Sequence, residues 1–142
     1  ERRGAPVAAF VRINEEPIDV KTQIYEPDIV VVLDMSLLEV VDVTEGLKKG
    51  GKVILNTSRD PSEFDFGENE VFTVDATTIA VENGLGTETN PIVNTAILGA
   101  YSKVAGNVGI ENIGKAIENN VPVKHEENKT AAKEAYENVV GV

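Results

Sequence analysis

Polar side chains follow three predicted strands of this 142-residue sequence, at positions where they could contact a ligand. They are Asp34 and Ser36, residues 56–58, and Asp75, Thr77 and Thr78. Open α/β sheets bind ligands at the carboxyl ends of their strands, which is where these residues would lie. The same residue types also cap helices and close turns in every α/β protein. Capping is the stronger interpretation, because nothing else in these loops selects a particular ligand.

No pattern in the sequence specifies catalysis. Gly84-Leu85-Gly86 follows a predicted helix, whereas a dinucleotide loop needs its glycines directly after a strand. His125 is the single histidine and stands in a polar stretch, which excludes a site built from several histidines. The chain contains no Cys, so it offers neither disulfides nor thiolate ligands for an iron–sulfur cluster. Its acidic residues are spread along the chain, as on a solvated surface. We therefore expect no catalytic residue and no metal site here.

The charge of the chain limits its partners. Lys and Arg total 13 against 24 Asp and Glu, which gives a formal net charge of −11. Such a surface repels phosphate backbones and anionic lipids, so we expect neither nucleic acid nor a membrane as partner. No uncharged apolar run reaches the length of a membrane span, and nothing resembles a signal peptide, so the cytoplasm is the expected compartment. Arg2-Arg3 is the one basic spot in the sequence, and guanidinium groups suit carboxylates or phosphates.

Strand and helix patterns alternate along the chain, which predicts an α/β domain over residues 1–142. The fold expected is a three-layer α/β/α arrangement with a largely parallel (mixed), Rossmann-like sheet. The continuous apolar run at residues 29–33 is typical of a strand that is buried on both faces. Predicted strands cover residues 7–13, 23–25, 29–33, 52–56 and 71–75. Predicted helices start at Ser36, in a capping box with Glu39, and cover residues 43–49, 76–83, 90–106, 110–119 and 128–139.

The helix at residues 90–106 is predicted to be the centre of the core. Asn90 fits an N-cap and Pro91 the first helical position, where a missing N–H costs nothing. Apolar residues then recur at helical spacing over most of the circumference. Thr95, Gly99 and Ser102 are small and share one face, which predicts that another backbone packs closely there. A glycine inside a helix costs up to about 1 kcal/mol relative to alanine, so Gly99 implies such a packing reason.

Five segments together resemble the gamma subunit of 2-oxoacid:ferredoxin oxidoreductases, in that family's order and over nearly the whole chain. The last of them, Asn-Pro-x-x-Asn-Thr-Ala-x-Leu-Gly-Ala, is most similar to the pyruvate type. The segments are ERRGAP with VAAFVRI from residue 1, PDIVVVLD from residue 27, KKGGKVILN from residue 48, VDAT from residue 74, and NPIVNTAILGA from residue 90.

The resemblance implies a non-catalytic subunit of a complex that decarboxylates pyruvate oxidatively to acetyl-coenzyme A and reduces ferredoxin. It implies alpha, beta and delta partner subunits. It also implies thiamine diphosphate, magnesium and iron–sulfur clusters on those partners, with none of these bound by this chain alone. Members of the family begin with a strand, a Gly-rich loop and a helix, and this sequence lacks these three elements. The sequence also opens with Glu1 instead of Met. We therefore expect further residues ahead of Glu1.

A site for coenzyme A is the one binding role that the resemblance suggests for this chain. Unpaired N–H groups and the helix dipole favour an anion at a helix N-terminus. Thr89 and Asn90 would lie at that end of the helix at residues 90–106, and Asn94 one turn further. Arg2 and Arg3 could bind the same anion or dock a partner subunit. The alternative function is a free-standing Rossmann-like domain or enzyme that binds a small molecule at its strand ends.

Overall fold

The middle of the sheet is the strand Lys-Val-Ile-Leu-Asn, whose β-branched and leucine side chains are buried on both faces. The structure, a computed structural model, describes residues 5–141. One sheet in these residues has four strands, β1 (Ile29–Val32), β2 (Lys52–Asn56), β3 (Glu70–Val74) and β6 (Val140–Gly141). Their order is β1-β2-β3-β6, and the first three strands are parallel. β6 pairs with β3 in the antiparallel direction.

Four α-helices lie in the described residues, and three of them cover one face of the sheet. The helices are α1 (Ala76–Glu82), α2 (Ala96–Ala105), α3 (Ile110–Asn120) and α4 (His125–Asn138). Ile54 and Val74 point to the covered face and belong to one buried cluster with residues of α1, α2 and α4. α3 packs beside α4 through a smaller cluster around Ile113 and Ile117.

The opposite face of the sheet is covered by short 3-10 helices and loops. Val53, Leu55 and Val71 pack there against partly buried side chains that include Phe64 and Phe66. The two 3-10 helices are Met35–Glu39 and Pro61–Glu63. The predicted α/β class with a mixed sheet is confirmed. Three parallel strands and one antiparallel strand lie between α-helices on one face and 3-10 helices and loops on the other.

The close approach predicted at Gly99 is present. A Cβ atom built on Gly99 would lie 1.7 Å from the carbonyl oxygen of Ala132 in α4. Ser102 is buried on the same face, and its hydroxyl donates a hydrogen bond of 2.6 Å to the Val108 carbonyl. The hydroxyl of Thr95 donates to Asn128 Oδ1 in α4. Small residues therefore let α4 lie directly against α2, as the sequence pattern indicated.

Two predicted strands and one predicted helix are wrong. Residues 7–13 and 23–25 form no strand, because no other described segment pairs with their backbone. Residues 43–49 form turns. The helix predicted from Ser36 is the 3-10 helix Met35–Glu39, and its cap is Asp34, whose carboxylate accepts from the Ser36 amide. The cap position is therefore two residues earlier than the capping-box pattern predicts.

The strand at residues 29–33 is predicted to be buried on both faces, but β1 lies at the edge of the described sheet. β1 pairs only with β2 among the described strands. Val30 and Val32 are covered by the 3-10 side, whereas Val31 and Leu33 are 37% and 42% exposed. An apolar run in the sequence does not by itself distinguish a central strand from an edge strand.

The helix predicted at residues 90–106 begins at Ala96, with Thr95 as its N-cap residue. Asn90 and Pro91 instead form β5, which pairs with β4 (Gly86–Thr87) in a small hairpin. Gly86 has a φ of +84°, and the Ile92 amide donates to the Leu85 carbonyl at 3.1 Å. This hairpin holds the chain extended through Pro91, which overrides the capping signal of Asn90.

Candidate functional site

Asn56 joins three strand ends at the carboxyl edge of the sheet. Its side-chain amide donates to the Leu33 carbonyl at 2.9 Å and to the Thr77 hydroxyl at 3.0 Å. Its Oδ1 accepts from the amides of Ala76 and Thr77, at 2.9 Å and 3.2 Å. Because Asn56 is buried and uses both ends of its side chain, it is a structural bracket and offers no group to a ligand.

The acidic residues at this edge are caps. Asp75 accepts from the amide and the hydroxyl of Thr78, at 3.1 Å and 2.8 Å, and so closes the first turn of α1. Asp34 accepts from the amide and the hydroxyl of Ser36, at 3.0 Å and 2.8 Å. The hydrogen bond from the Ser36 backbone, then that from its hydroxyl, holds the pKa of Asp34 below its ordinary value. These contacts agree with the capping interpretation of the strand-end residues.

The residues predicted to contact coenzyme A are only partly brought together. Thr89 and Asn90 are exposed on the β4–β5 hairpin, six or more residues ahead of the first residue of α2. Asn94 is exposed just before the cap residue, and its Oδ1 accepts from the Thr95 amide at 3.0 Å. These three residues therefore do not form a helix N-terminus. Arg2 and Arg3 lie outside the described residues.

A cavity of about 340 Å³ lies between α1 and the β4–β5 hairpin. Two carboxylates, Glu82 and Glu88, line it together with Thr77, Thr78 and Val81. Within residues 5–141, no group of three or more His, Asp or Glu side chains is close enough to hold a metal ion. The chain also lacks Cys, so it offers no thiolate ligand for an iron–sulfur cluster.

Sequence reasoning missed a lysine cluster at the amino end of the sheet. A second cavity, of about 280 Å³, is lined by Lys48, Lys49 and Lys52 and by residues that include Asp28 and Gly50. Lys48 pairs with Asp28 at 3.1 Å, and Lys49 pairs with Glu68 at 3.4 Å. Lys52 donates to the Val104 carbonyl at the end of α2, at 3.2 Å. Arg2-Arg3 is thus not the one basic spot, and the Lys-Lys-Gly-Gly-Lys run was the available signal.

Comparison with known proteins establishes the family of this chain. The family model for pyruvate ferredoxin/flavodoxin oxidoreductase matches residues 1–138. The "pyruvate/ketoisovalerate oxidoreductases common subunit gamma" of Pyrococcus abyssi is 54% identical over 142 residues, covering 96% of this chain and 75% of that relative. The chain belongs to the pyruvate ferredoxin/flavodoxin oxidoreductase family.

Two further relatives place this oxidoreductase chain among gamma-type subunits. "Pyruvate synthase subunit PorC" of Methanothermobacter marburgensis is 51% identical over 138 residues, which are 96% of this chain and 74% of that relative. The solved pyruvate oxidoreductase subunit PORC of Thermotoga maritima matches with a TM-score of 0.70 and 33% identity, covering 83% of this chain and 66% of that one. The resemblance drawn from five sequence segments is confirmed.

The described part of this oxidoreductase subunit carries no membrane-spanning helix. None of its helices in residues 5–141 is long and apolar enough to cross a bilayer.

Proposed function

We propose that this chain is the non-catalytic gamma subunit of a pyruvate:ferredoxin oxidoreductase that acts in the cytoplasm. The complex would decarboxylate pyruvate oxidatively to acetyl-coenzyme A and reduce ferredoxin. The single observation that carries this proposal is the similarity, at 51% identity, to a subunit named for pyruvate synthase. Thiamine diphosphate, magnesium and the iron–sulfur clusters would be bound by the alpha, beta and delta subunits.

The side chains of this chain support a structural role. Three of the four buried polar residues in the described part of the chain, Asn56, Ser102 and Asn128, are each engaged in hydrogen bonds that join elements of the fold. The described carboxylates with a lowered pKa are surface caps or an ion-pair partner, namely Asp34, Asp60 and Glu118. A carboxylate that acts as a general acid or base in a cleft works best with a pKa near neutrality. The pKa values of these three carboxylates are shifted in the opposite direction, away from neutrality.

Purification of the chain alone and with its partner subunits tests this proposal. We expect the isolated chain to be colourless and to show no 2-oxoacid-dependent dye reduction. Co-expressed with the partner subunits, it should co-purify with iron–sulfur absorbance and with pyruvate-dependent, coenzyme A-dependent dye reduction. Turnover or bound cofactor in the isolated chain would favour the alternative, a free-standing small-molecule enzyme.

The name of the Pyrococcus abyssi relative favours a second 2-oxoacid. That relative is called a subunit common to pyruvate and ketoisovalerate oxidoreductases, and it is 54% identical to this chain. A shared gamma subunit would serve either enzyme without contacting the part of the substrate that differs. Assembly with each set of partner subunits, followed by assays with pyruvate and with 2-ketoisovalerate, would decide whether this chain serves one complex or both.

Contact with coenzyme A is a further part of the proposed function. Thr89, Asn90 and Asn94 are exposed polar residues on the segment that leads into α2, and Arg2 and Arg3 add positive charge to the chain. In the assembled complex, Asn94→Ala and Arg3→Ala should each raise the Michaelis constant for coenzyme A and leave that for pyruvate unchanged. If both constants hold steady while the complex stays intact, these residues serve the fold or the subunit interface.

A further inference from the structure

Asn83 and Gly84 form the one Asn-Gly dipeptide in this sequence. An asparagine that precedes glycine is the asparagine most prone to deamidate without an enzyme, because glycine has no Cβ to hinder the attack. In that reaction the Gly84 amide nitrogen gives up its proton and bonds to Asn83 Cγ. The Cγ–Nδ2 bond breaks, and the nitrogen leaves with a proton as ammonia. Water then opens the resulting succinimide ring to aspartate or isoaspartate.

Both reacting groups of this dipeptide are hydrogen-bonded at the end of α1. The side-chain amide of Asn83, which contains the leaving nitrogen, donates to the Ile79 carbonyl and to Glu134 of α4, both at 2.8 Å. The backbone amide of Gly84, which contains the attacking nitrogen, donates to the Val81 carbonyl at 3.0 Å. Ring formation requires these hydrogen bonds to break, so its rate in the folded chain depends on how often this end of α1 opens.

The contact with Glu134 distinguishes Asn83 from two other asparagines at helix ends. Asn120 and Asn138 also donate to the carbonyl four residues before them, at 2.9 Å and 2.7 Å. Both are exposed, and their described hydrogen bonds include no carboxylate on another helix. The asparagine that precedes glycine is thus the one whose side chain is half-buried and held by a second helix.

Lys124, directly before α4, holds the other half of the dipeptide. Its ammonium group donates to the Gly84 carbonyl at 2.6 Å. Among the described residues, Lys124 is the one residue other than glycine with a positive φ, +56°, and such a conformation persists only where its surroundings maintain it. Hydrogen bonds to charged groups are stronger than neutral ones. Lys124 and Glu134 therefore fix both residues of the dipeptide from the same helix.

We propose that Asn83 is a site of spontaneous deamidation and that Glu134 is the positioning residue that keeps it unreactive in the folded chain. Water is the only co-reactant, so the modification needs no enzyme and no cofactor. The carboxylate that forms at position 83 would face the carboxylate of Glu134. The product thus loses a hydrogen bond and gains a like-charge contact between α1 and α4, which loosens the packing of these two helices.

Incubation of the folded 142-residue chain in mildly alkaline buffer, followed by peptide mass spectrometry, measures the deamidation rate at Asn83. Glu134→Ala should raise this rate at least about tenfold, the factor expected for a lost hydrogen bond to a charged group. Glu134→Gln keeps an acceptor and should stay within about threefold of the wild type. Glu137→Ala is the matched control, because it removes an exposed carboxylate from the same helix and should leave the rate unchanged. In urea, the wild type and all variants should share one faster rate.

Thermal unfolding separates this local protection from general destabilisation. The incubations are kept at least about 15 °C below the thermal midpoint of every variant, so that global unfolding does not supply the reactive state. Asn83→Asp, which places the carboxylate of the product beside Glu134, should lower the midpoint by at least about 3 °C. Asn120→Asp also places a carboxylate at a helix C-terminus, but without a facing carboxylate among its described contacts, and should lower it by less.

Three results would each overturn the proposed role of Glu134. They are deamidation of Asn83 in the folded wild type as fast as in urea, no acceleration in Glu134→Ala, and a rate in Glu134→Gln or Glu137→Ala as high as in Glu134→Ala. Equal losses of the midpoint in Asn83→Asp and Asn120→Asp would overturn the predicted loosening of α4 from α1.

Discussion

Gly99 shows at the scale of one residue how α2 and α4 come into backbone contact. A Cβ atom at this position would lie 1.7 Å from the Ala132 carbonyl oxygen and 2.6 Å from its carbon. Real Cβ atoms do not come so close, and backbone atoms in the middle of α4 cannot move aside as a flexible side chain can. The glycine therefore offsets its low helix propensity by allowing the two helices to meet.

We expect Gly99→Leu to destabilise the chain by about 1–3 kcal/mol or more, because α4 must shift away from α2. Chemical or thermal unfolding of the isolated chain measures this loss. Gly114 in α3 is the matched control, since a Cβ there would meet only Lys129 Cε, at 3.5 Å. Gly114→Ala should be neutral or stabilise by up to about 1 kcal/mol through helix propensity. Equal stability of Gly99→Leu and the wild type would contradict the packing contact.

Asn56 gives a second prediction at this scale. Asn56→Ala removes the acceptor for the buried Ala76 amide and the donor to the Leu33 carbonyl. Leaving a buried amide without a partner costs about 1–3 kcal/mol. The control is Asn120→Ala on the exposed end of α3, where the amide donates only to the Ala116 carbonyl, and it should change stability by less than about 0.5 kcal/mol. Urea unfolding of both variants measures the two losses of stability, and a loss for Asn56→Ala no larger than that for Asn120→Ala would contradict the structural role of Asn56.

At the scale of the elements, the parts that sequence predicted well are those with agreeing local signals. β2 matches its predicted bounds, and α1 follows the Asp75 cap and ends at Glu82, with Asn83 as its C-cap residue, one residue from the predicted end. The start of α2 could not be predicted, because Asn90-Pro91 fits both a helix start and the return strand of a hairpin. The hydrogen bond from the Ile92 amide to the Leu85 carbonyl fixes this segment as a hairpin, so α2 begins later. Likewise, Lys52 donates to the Val104 carbonyl at the end of α2 across 52 positions of sequence, so the Lys-Lys-Gly-Gly-Lys run alone did not show that these lysines line a cavity.

The contact between α3 and α4 supplies a prediction about pH. Lys129 donates to Glu118 at 2.5 Å, and this hydrogen bond, followed by the charge of Lys129, lowers the pKa of Glu118. The hydrogen bond to Glu118 in turn raises the pKa of Lys129. A lowered carboxyl pKa stabilises the fold above the ordinary Glu pKa, and this contribution is lost as the pH falls through the lowered value. A raised lysine pKa stabilises below the ordinary Lys pKa and is lost as the pH rises through the raised value.

Glu118→Gln should therefore be less stable than the wild type at neutral pH, and the difference should vanish in acid. The effect is small, since the pair is at the surface, and high salt should weaken it. Glu137→Gln, which changes an exposed carboxylate whose described contacts include no ion pair, serves as control. Unfolding midpoints at neutral and acidic pH, at low and high salt, measure both variants. A Glu118→Gln deficit that persists unchanged in acid would show that the side chain acts through packing.

At the scale of the whole molecule, the sheet is covered unevenly. The helix face is covered by α1, α2 and α4 around Ile54 and Val74, but Val31 of β1, on the same face, is 37% exposed, and Leu33, directly after β1, is 42% exposed. The outer edge of β1 has no paired strand in residues 5–141. An open apolar edge of this kind is a template for another strand.

We propose that the strand, Gly-rich loop and helix that the family resemblance places ahead of Glu1 complete this side. The strand would pair with the free edge of β1, and the helix would cover Val31 and Leu33. Val31→Asp should then change stability by less than about 1 kcal/mol in the 142-residue chain, where the residue faces water. In a chain that carries the additional unit, the same change should cost several times more, because it places an unpaired carboxylate in a covered site.

Val32→Asp is the control for this comparison, because Val32 is 2% exposed on the opposite face and is buried without the additional unit. It should destabilise both chains strongly and by similar amounts, so it reports the general sensitivity of β1. Slower hydrogen exchange of the β1 amides in the longer chain would support strand pairing directly. If Val31→Asp costs the same in both chains, the additional unit does not cover β1, and the exposed edge is left for a partner subunit to pair.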